Sequence, residues 1–82
     1  MTLYVGNIAF SMTGDELQAV FAPFGKVTSA KIIIDKRTNR SKGYGFVEME
    51  NDRDGYTAID ETTGREVNGR TLKVSKANPR QE

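Results

Sequence analysis

The chemistry in this chain lies in one run, Lys42-Gly43-Tyr44-Gly45-Phe46-Val47-Glu48-Met49, and in Tyr4 near the start. On an extended strand alternate side chains face opposite sides. Lys42, Tyr44, Phe46 and Glu48 then share one face, while Gly43, Gly45, Val47 and Met49 share the other. Two large rings beside an ammonium group suit two tasks: stacking flat, conjugated rings and meeting an anion. Tyr4 joins this set if Leu3 and Val5 point into a core. A second basic group, Arg37, Arg40 and Lys42, leads along the chain straight into the aromatic run.

Other chemistries are poorly served. The chain has no histidine and no cysteine, so it lacks the commonest general base, the commonest metal ligand and any thiolate nucleophile. No disulfide supplements the core. No nucleophile–base pair stands out, and we expect no enzyme, no metal and no cofactor. With 82 residues there is room for one small core and no deep cleft. The formal net charge is only +1, but Lys36, Arg37, Arg40 and Lys42 crowd one segment while Glu48 to Asp54 holds much of the acid. No stretch approaches the roughly 20 apolar residues of a membrane span, and none has signal-peptide character. A monomer in the cytoplasm is the expectation.

The elements that position these residues follow from periodicity. Leu3 to Gly6 alternates and opens the chain as a strand. Thr13, three residues before Glu16, forms a capping box. Leu17, Val20, Phe21 and Phe24 then recur at helical spacing until Pro23 and Gly25 close the helix. Val27 to Ile34 is β-branched and predicts a second strand, Asp35 to Ser41 a polar loop, and Gly43 to Met49 a third strand. A second helix is expected from Asn51 or Asp52 to Glu61, with Ala58 and Ile59 inward. Gly55 weakens it by roughly 1 kcal/mol relative to alanine. Thr62 to Gly69 is turn-rich, its Asn-Gly pair suiting a small hairpin, and Arg70 to Lys76 is the last strand. The order β-α-β-β-α-β is the split, ferredoxin-like pattern. The fold class is α+β: a four-stranded antiparallel sheet with two helices on one face. The domain is placed at residues 1–78, with 79–82 as a short tail.

Lys42 to Met49 matches the pattern Lys/Arg-Gly-Phe/Tyr-Gly/Ala-Phe-Val-x-Phe/Tyr at every position but the last. Leu3-Tyr4-Val5-Gly6-Asn7-Ile8 resembles the hexamer that accompanies it. From Thr2 to Asn78 the chain resembles the RNA recognition motif family, most of all its stand-alone bacterial members. The resemblance implies binding of single-stranded RNA on the open sheet face, with bases stacked on Tyr4, Tyr44 and Phe46. It places Ser29, Lys31 and Ile33 outward on the second strand with Ala30 and Ile32 inward, and Lys73 and Ser75 outward on the last with Leu72 and Val74 buried. Arg37, Arg40 and Lys42 are expected to clamp the phosphate backbone. Single-stranded DNA would stack equally well, since only contacts to the 2′-hydroxyl separate the two.

Three departures and two rivals complete the sequence picture. Met49 replaces the terminal aromatic of the octamer, on the core side. Thr62 and Gly55 stand where leucine and alanine are usual and imply a looser second helix. A small acylphosphatase on the same topology needs an arginine in the turn after the first strand, and Gly6 to Phe10 has none. Peptide-capturing relatives carry Arg-x-Phe before the last strand, whereas Arg70 is followed by Thr71 and Leu72.

Overall fold

Leu3, Val5, Val47 and Met49 are each fully buried, and their spacing of two forces both central strands to lay one face on the helices. A computed structural model describes residues 1–77; Asn78 and the proposed tail boundary lie outside them. The elements are β1 (Thr2–Gly6), α1 (Gly14–Phe21), β2 (Val27–Asp35), β3 (Arg40–Met49), α2 (Asp52–Thr62), β4 (Glu66–Val67), β5 (Arg70–Thr71) and β6 (Lys73–Lys76). The main sheet has strand order β2-β3-β1-β6, with every neighbouring pair antiparallel. This is the expected ferredoxin-like α+β fold, with β1 and β3 side by side at its centre.

Helix α1 begins where the capping box predicts. The Glu16 amide donates to Thr13 Oγ1 at 3.2 Å, and the Thr13 amide donates to Glu16 Oε1 at 2.9 Å. Leu17 and Phe21 are fully buried. Pro23 falls in a separate 3₁₀ turn, Ala22–Phe24, so Phe24 reaches the core edge from that turn and not from the helix.

The second helix is better seated than its composition implies. Thr62 is buried, yet its hydroxyl donates to the Ala58 carbonyl at 2.6 Å, which satisfies the polar group within the helix. Gly55 is buried against Met1, whose Sδ and Cγ occupy the space an alanine methyl would take. Glycine here is a packing residue: its helical cost is set against the placement of Met1.

Two segments differ from their sequence expectation. Asp35 to Ser41 is not a free loop, because β2 runs to Asp35 and β3 starts at Arg40, with those two residues paired. Asp35 closes the turn twice: its carboxylate accepts from the Arg37 amide at 2.9 Å and its carbonyl from the Asn39 amide at 2.7 Å. Asn39 supplies the left-handed backbone (φ 58°). Likewise Arg70 to Lys76 is not one strand. Arg70–Thr71 pairs with Glu66–Val67 across Asn68-Gly69 (φ 55° and 82°), the signature of a type I′ turn. Leu72, buried, bonds back to Arg65 and Gly64, and only Lys73–Lys76 joins the main sheet.

Candidate nucleic-acid interface

Antiparallel pairing sets four residues in one row across the open face. Lys31 of β2 lies opposite Phe46 of β3, Phe46 opposite Tyr4 of β1, and Tyr4 opposite Ser75 of β6. Directly opposed residues share a face, so the register places Lys31 and Ser75 beside the aromatics as expected. The neighbouring row, Ile32, Gly45, Val5 and Val74, points to the helices. Lys73 lies opposite Gly6 and is exposed, like Ser75, while Leu72 and Val74 are buried.

Tyr4, Tyr44 and Phe46 form a triangle with ring centroids 5.8, 6.0 and 6.1 Å apart. All three are half-buried, each against the others, and none belongs to the buried core. Gly6 permits this arrangement: a Cβ there would lie 2.7 Å from the Tyr4 hydroxyl, so the ring lies along its own strand toward Tyr44. Gly45 marks a close approach within the sheet. A Cβ at Gly45 would press on the Lys31 carbonyl, so the close neighbour is strand β2.

Alternation does not extend to Lys42. Between the pairs Ile32–Gly45 and Ile34–Ser41 the register shifts, leaving Lys42, Gly43 and Tyr44 opposite Ile33 alone. Gly43 takes the kink with φ 87°, a conformation costly for other residues, and its amide donates to Ser41 Oγ at 3.0 Å. The face of Lys42 is therefore set by a bulge, not by period two. Lys42 is exposed and lines a groove with Arg40 and Phe10 at the sheet's end. Ile33 is half-buried beside the bulge and outside the core. Arg37 sits at the hairpin tip, its Nε 4.0 Å from the Asp35 carboxylate, so it is apart from the aromatic triangle.

Phe10 was not among the residues that sequence singled out. It lies between β1 and α1, where no period assigns it a side, and it is 69% exposed. A large aromatic in a turn with no periodic role was the available signal.

The sequence from residue 3 to residue 73 matches the model of the RNA recognition motif, and the chain belongs to that family, one of binding domains and not of enzymes. A Nostoc sp. (strain PCC 7120) protein named "Putative RNA-binding protein RbpE" is 46% identical over 82 residues, covering 100% of this chain and 83% of its own. The crystal structure of an RNA-binding protein called PG1 superposes with a TM-score of 0.94 at 43% identity, covering 100% of this chain and 99% of that one. The RNA recognition motif of Rna15 with bound RNA (GU) gives a TM-score of 0.83 at 28% identity over 93% of this chain and 81% of its own.

Proposed function

We propose that this domain binds single-stranded RNA on the open sheet face, bases stacking on Tyr4, Tyr44 and Phe46. The observation that carries the proposal is the row Lys31–Phe46–Tyr4–Ser75 with Tyr44 closing the aromatic triangle. A cluster of half-exposed rings is costly to leave in water and presents π-faces to any unpaired base. Lys31, Ser75, Lys73 and Ile33 border the rings and supply the polar and apolar contacts through which base preference arises.

Charge distribution supports this use of the face. Helices α1 and α2 carry Asp15, Glu16, Asp52, Asp54, Asp60 and Glu61 against Arg53 alone. Lys31, Lys36, Arg37, Arg40, Lys42, Lys73 and Lys76 lie on the sheet and its hairpin against Asp35 and Glu48. The net charge of +1 thus conceals a molecule that repels a polyanion from its helical side and attracts it to the sheet.

The experiment is a titration of backbone amide shifts with a short single strand and with a duplex of the same length. Shifts should concentrate on the four main strands and the β2–β3 hairpin, and the duplex should bind at least about tenfold more weakly, roughly 1.4 kcal/mol, because paired bases are already stacked. Shifts confined to the helices would transfer the function to peptide capture. Single-stranded DNA of the same sequence, run in parallel, measures the contribution of the 2′-hydroxyl.

The hairpin contributes electrostatically in this proposal. Arg37→Ala and Arg40→Ala should weaken binding by similar factors for unrelated sequences and flatten the dependence of log K on log salt by up to about one unit each. Arg37, already beside Asp35, should show the smaller change. Salt slopes equal to wild type in both variants would assign these arginines to the solvated surface.

A further inference from the structure

Strand β2 is an outer edge of the main sheet, paired with β3 on one side and, among the described residues, with no strand on the other. An edge strand of nine residues presents a row of N–H and C=O groups that another strand can join. It holds no proline. Between Ile32 and Ile34 the extra residues of the bulge lie on β3, so β2 itself stays regular there. Ile34 is 44% exposed and Ile33 half-buried, which leaves apolar side chains of this edge in contact with water.

Two glycines show which backbone groups of β2 point outward. The Lys31 carbonyl lies where a Cβ on Gly45 would stand, so it points toward β3. Backbone groups of an antiparallel strand alternate in direction from residue to residue, which turns those of Ala30, Ile32 and Ile34 away from β3. In agreement, a Cβ on Gly14 would lie 3.1 Å from the Ala30 carbonyl oxygen, so the start of α1 screens the edge at that residue. The groups left open are those of Ile32 and Ile34.

The segment Lys31-Ile32-Ile33-Ile34-Asp35 is complementary to itself when two copies run antiparallel. Centred on Ile33, such a pairing sets Lys31 opposite Asp35 of the second copy, Ile32 opposite Ile34, and Ile33 opposite Ile33. Ile32 and Ile34, whose backbone groups face outward, then form the hydrogen-bonded pairs. Ile33 and the charged ends form the closer, non-hydrogen-bonded ones. Both charges are free to meet. Lys31 is exposed with no ion pair among the described residues, and only Oδ1 of Asp35 is engaged, by Arg37. Centring the pair on Lys31 or on Asp35 instead would oppose like charges, so the charges select one register.

We propose that β2 is a homodimerisation edge, joining two copies of this chain in that register in place of the monomer expected from sequence. The two main sheets become one sheet of eight strands, related by a two-fold axis at Ile33. Directly opposed residues share a face, so both aromatic triangles stand on the same side of the joined sheet. The interface is a single strand pair, which assigns it to the weak and transient class.

The test is sedimentation equilibrium on the RNA-free protein at concentrations up to about 1 mM, where even weak pairing is populated. Wild type should move from monomer toward dimer. Lys31→Asp and Asp35→Lys should each weaken self-association by at least about tenfold, because each homodimer then holds two like-charged cross-strand pairs. An equimolar mixture of the two variants should associate like wild type, since every aspartate again faces a lysine. The chain has no cysteine, so a second measurement uses Ile33→Cys. In a non-hydrogen-bonded pair the two Cα atoms lie about 4.5 Å apart, within disulfide range, and mild oxidation should cross-link this variant while Ser29→Cys stays single. Circular dichroism confirms that each variant is folded. A wild type that remains monomeric throughout, a mixture no better associated than either variant alone, or equal cross-linking of Ile33→Cys and Ser29→Cys overturns the proposal.

Discussion

Alanine at Tyr4, Tyr44 or Phe46 should weaken single-stranded RNA binding by about 1–3 kcal/mol each, the cost of one lost stacking platform. The three rings sit 5.8–6.1 Å apart, close enough that their contributions couple. The triple variant should therefore lose measurable binding without its loss equalling the sum of the single ones. Folding should survive, because none of the three belongs to the buried core and the helical face of the sheet is untouched. Circular dichroism and a fluorescence-anisotropy titration on the same samples check both halves of the expectation. Phenylalanine at Tyr4 and Tyr44 should retain most of the affinity, since the ring and not the hydroxyl stacks. A triple alanine variant that binds like wild type would remove the site from this face.

The same substitution on the opposite side of the sheet should have the opposite profile. Phe21 is fully buried in α1, so Phe21→Ala should cost about 3–5 kcal/mol of stability through lost transfer energy and the cavity left behind. A chain of 82 residues has only about 4–12 kcal/mol in total at ordinary stability per residue. The melting temperature should therefore fall by about 15 °C or more, and part of the protein should be unfolded at ambient temperature. Binding measured per folded molecule should remain near wild type, since Phe21 contacts the core and not the open face. A denaturant melt showing a loss under about 1 kcal/mol would mean that the helix is less firmly packed than its burial indicates. Phe46 and Phe21 thus provide a paired test, one ring dispensable for the fold and required for the ligand, the other the reverse.

Much of this molecule is written in local pattern. The alternation of Leu3, Val5, Val47 and Met49 determined which faces of β1 and β3 are buried, and so left Tyr4 and Phe46 on the other side. Thr13 and Glu16 determined where α1 starts, because a capping box is made by residues three apart. Asn68-Gly69 determined the small hairpin, since both residues accept the left-handed backbone that a type I′ turn demands. The octamer and hexamer together pointed to the family. Each of these signals acts over a few residues, within the range of backbone sterics and side-chain period.

Other features were decided only when distant segments met. Backbone pairing is nearly blind to side-chain type, so the polar stretch around Asp35 and Arg40 gave no sign that it continues the ladder between β2 and β3. The bulge at Lys42 to Tyr44 depends on the β2 register and on the Ile8–Gly43 bond, and it removes Lys42 from the alternation that sequence assigned to it. Gly45 is shaped by the Lys31 carbonyl across the sheet, and Gly55 by Met1 at the far end of the chain. The groove beside Phe10 is likewise a product of assembly, formed where the turn after β1 meets the β2–β3 hairpin. By itself the sequence determined the buried faces, the α1 cap, the Asn68-Gly69 turn and the aromatics of the open sheet face, because these follow from short-range periodicity and sterics. Tertiary structure alone decided register, bulges, close approaches and the groove, because each arises from contacts between residues that sequence proximity does not connect.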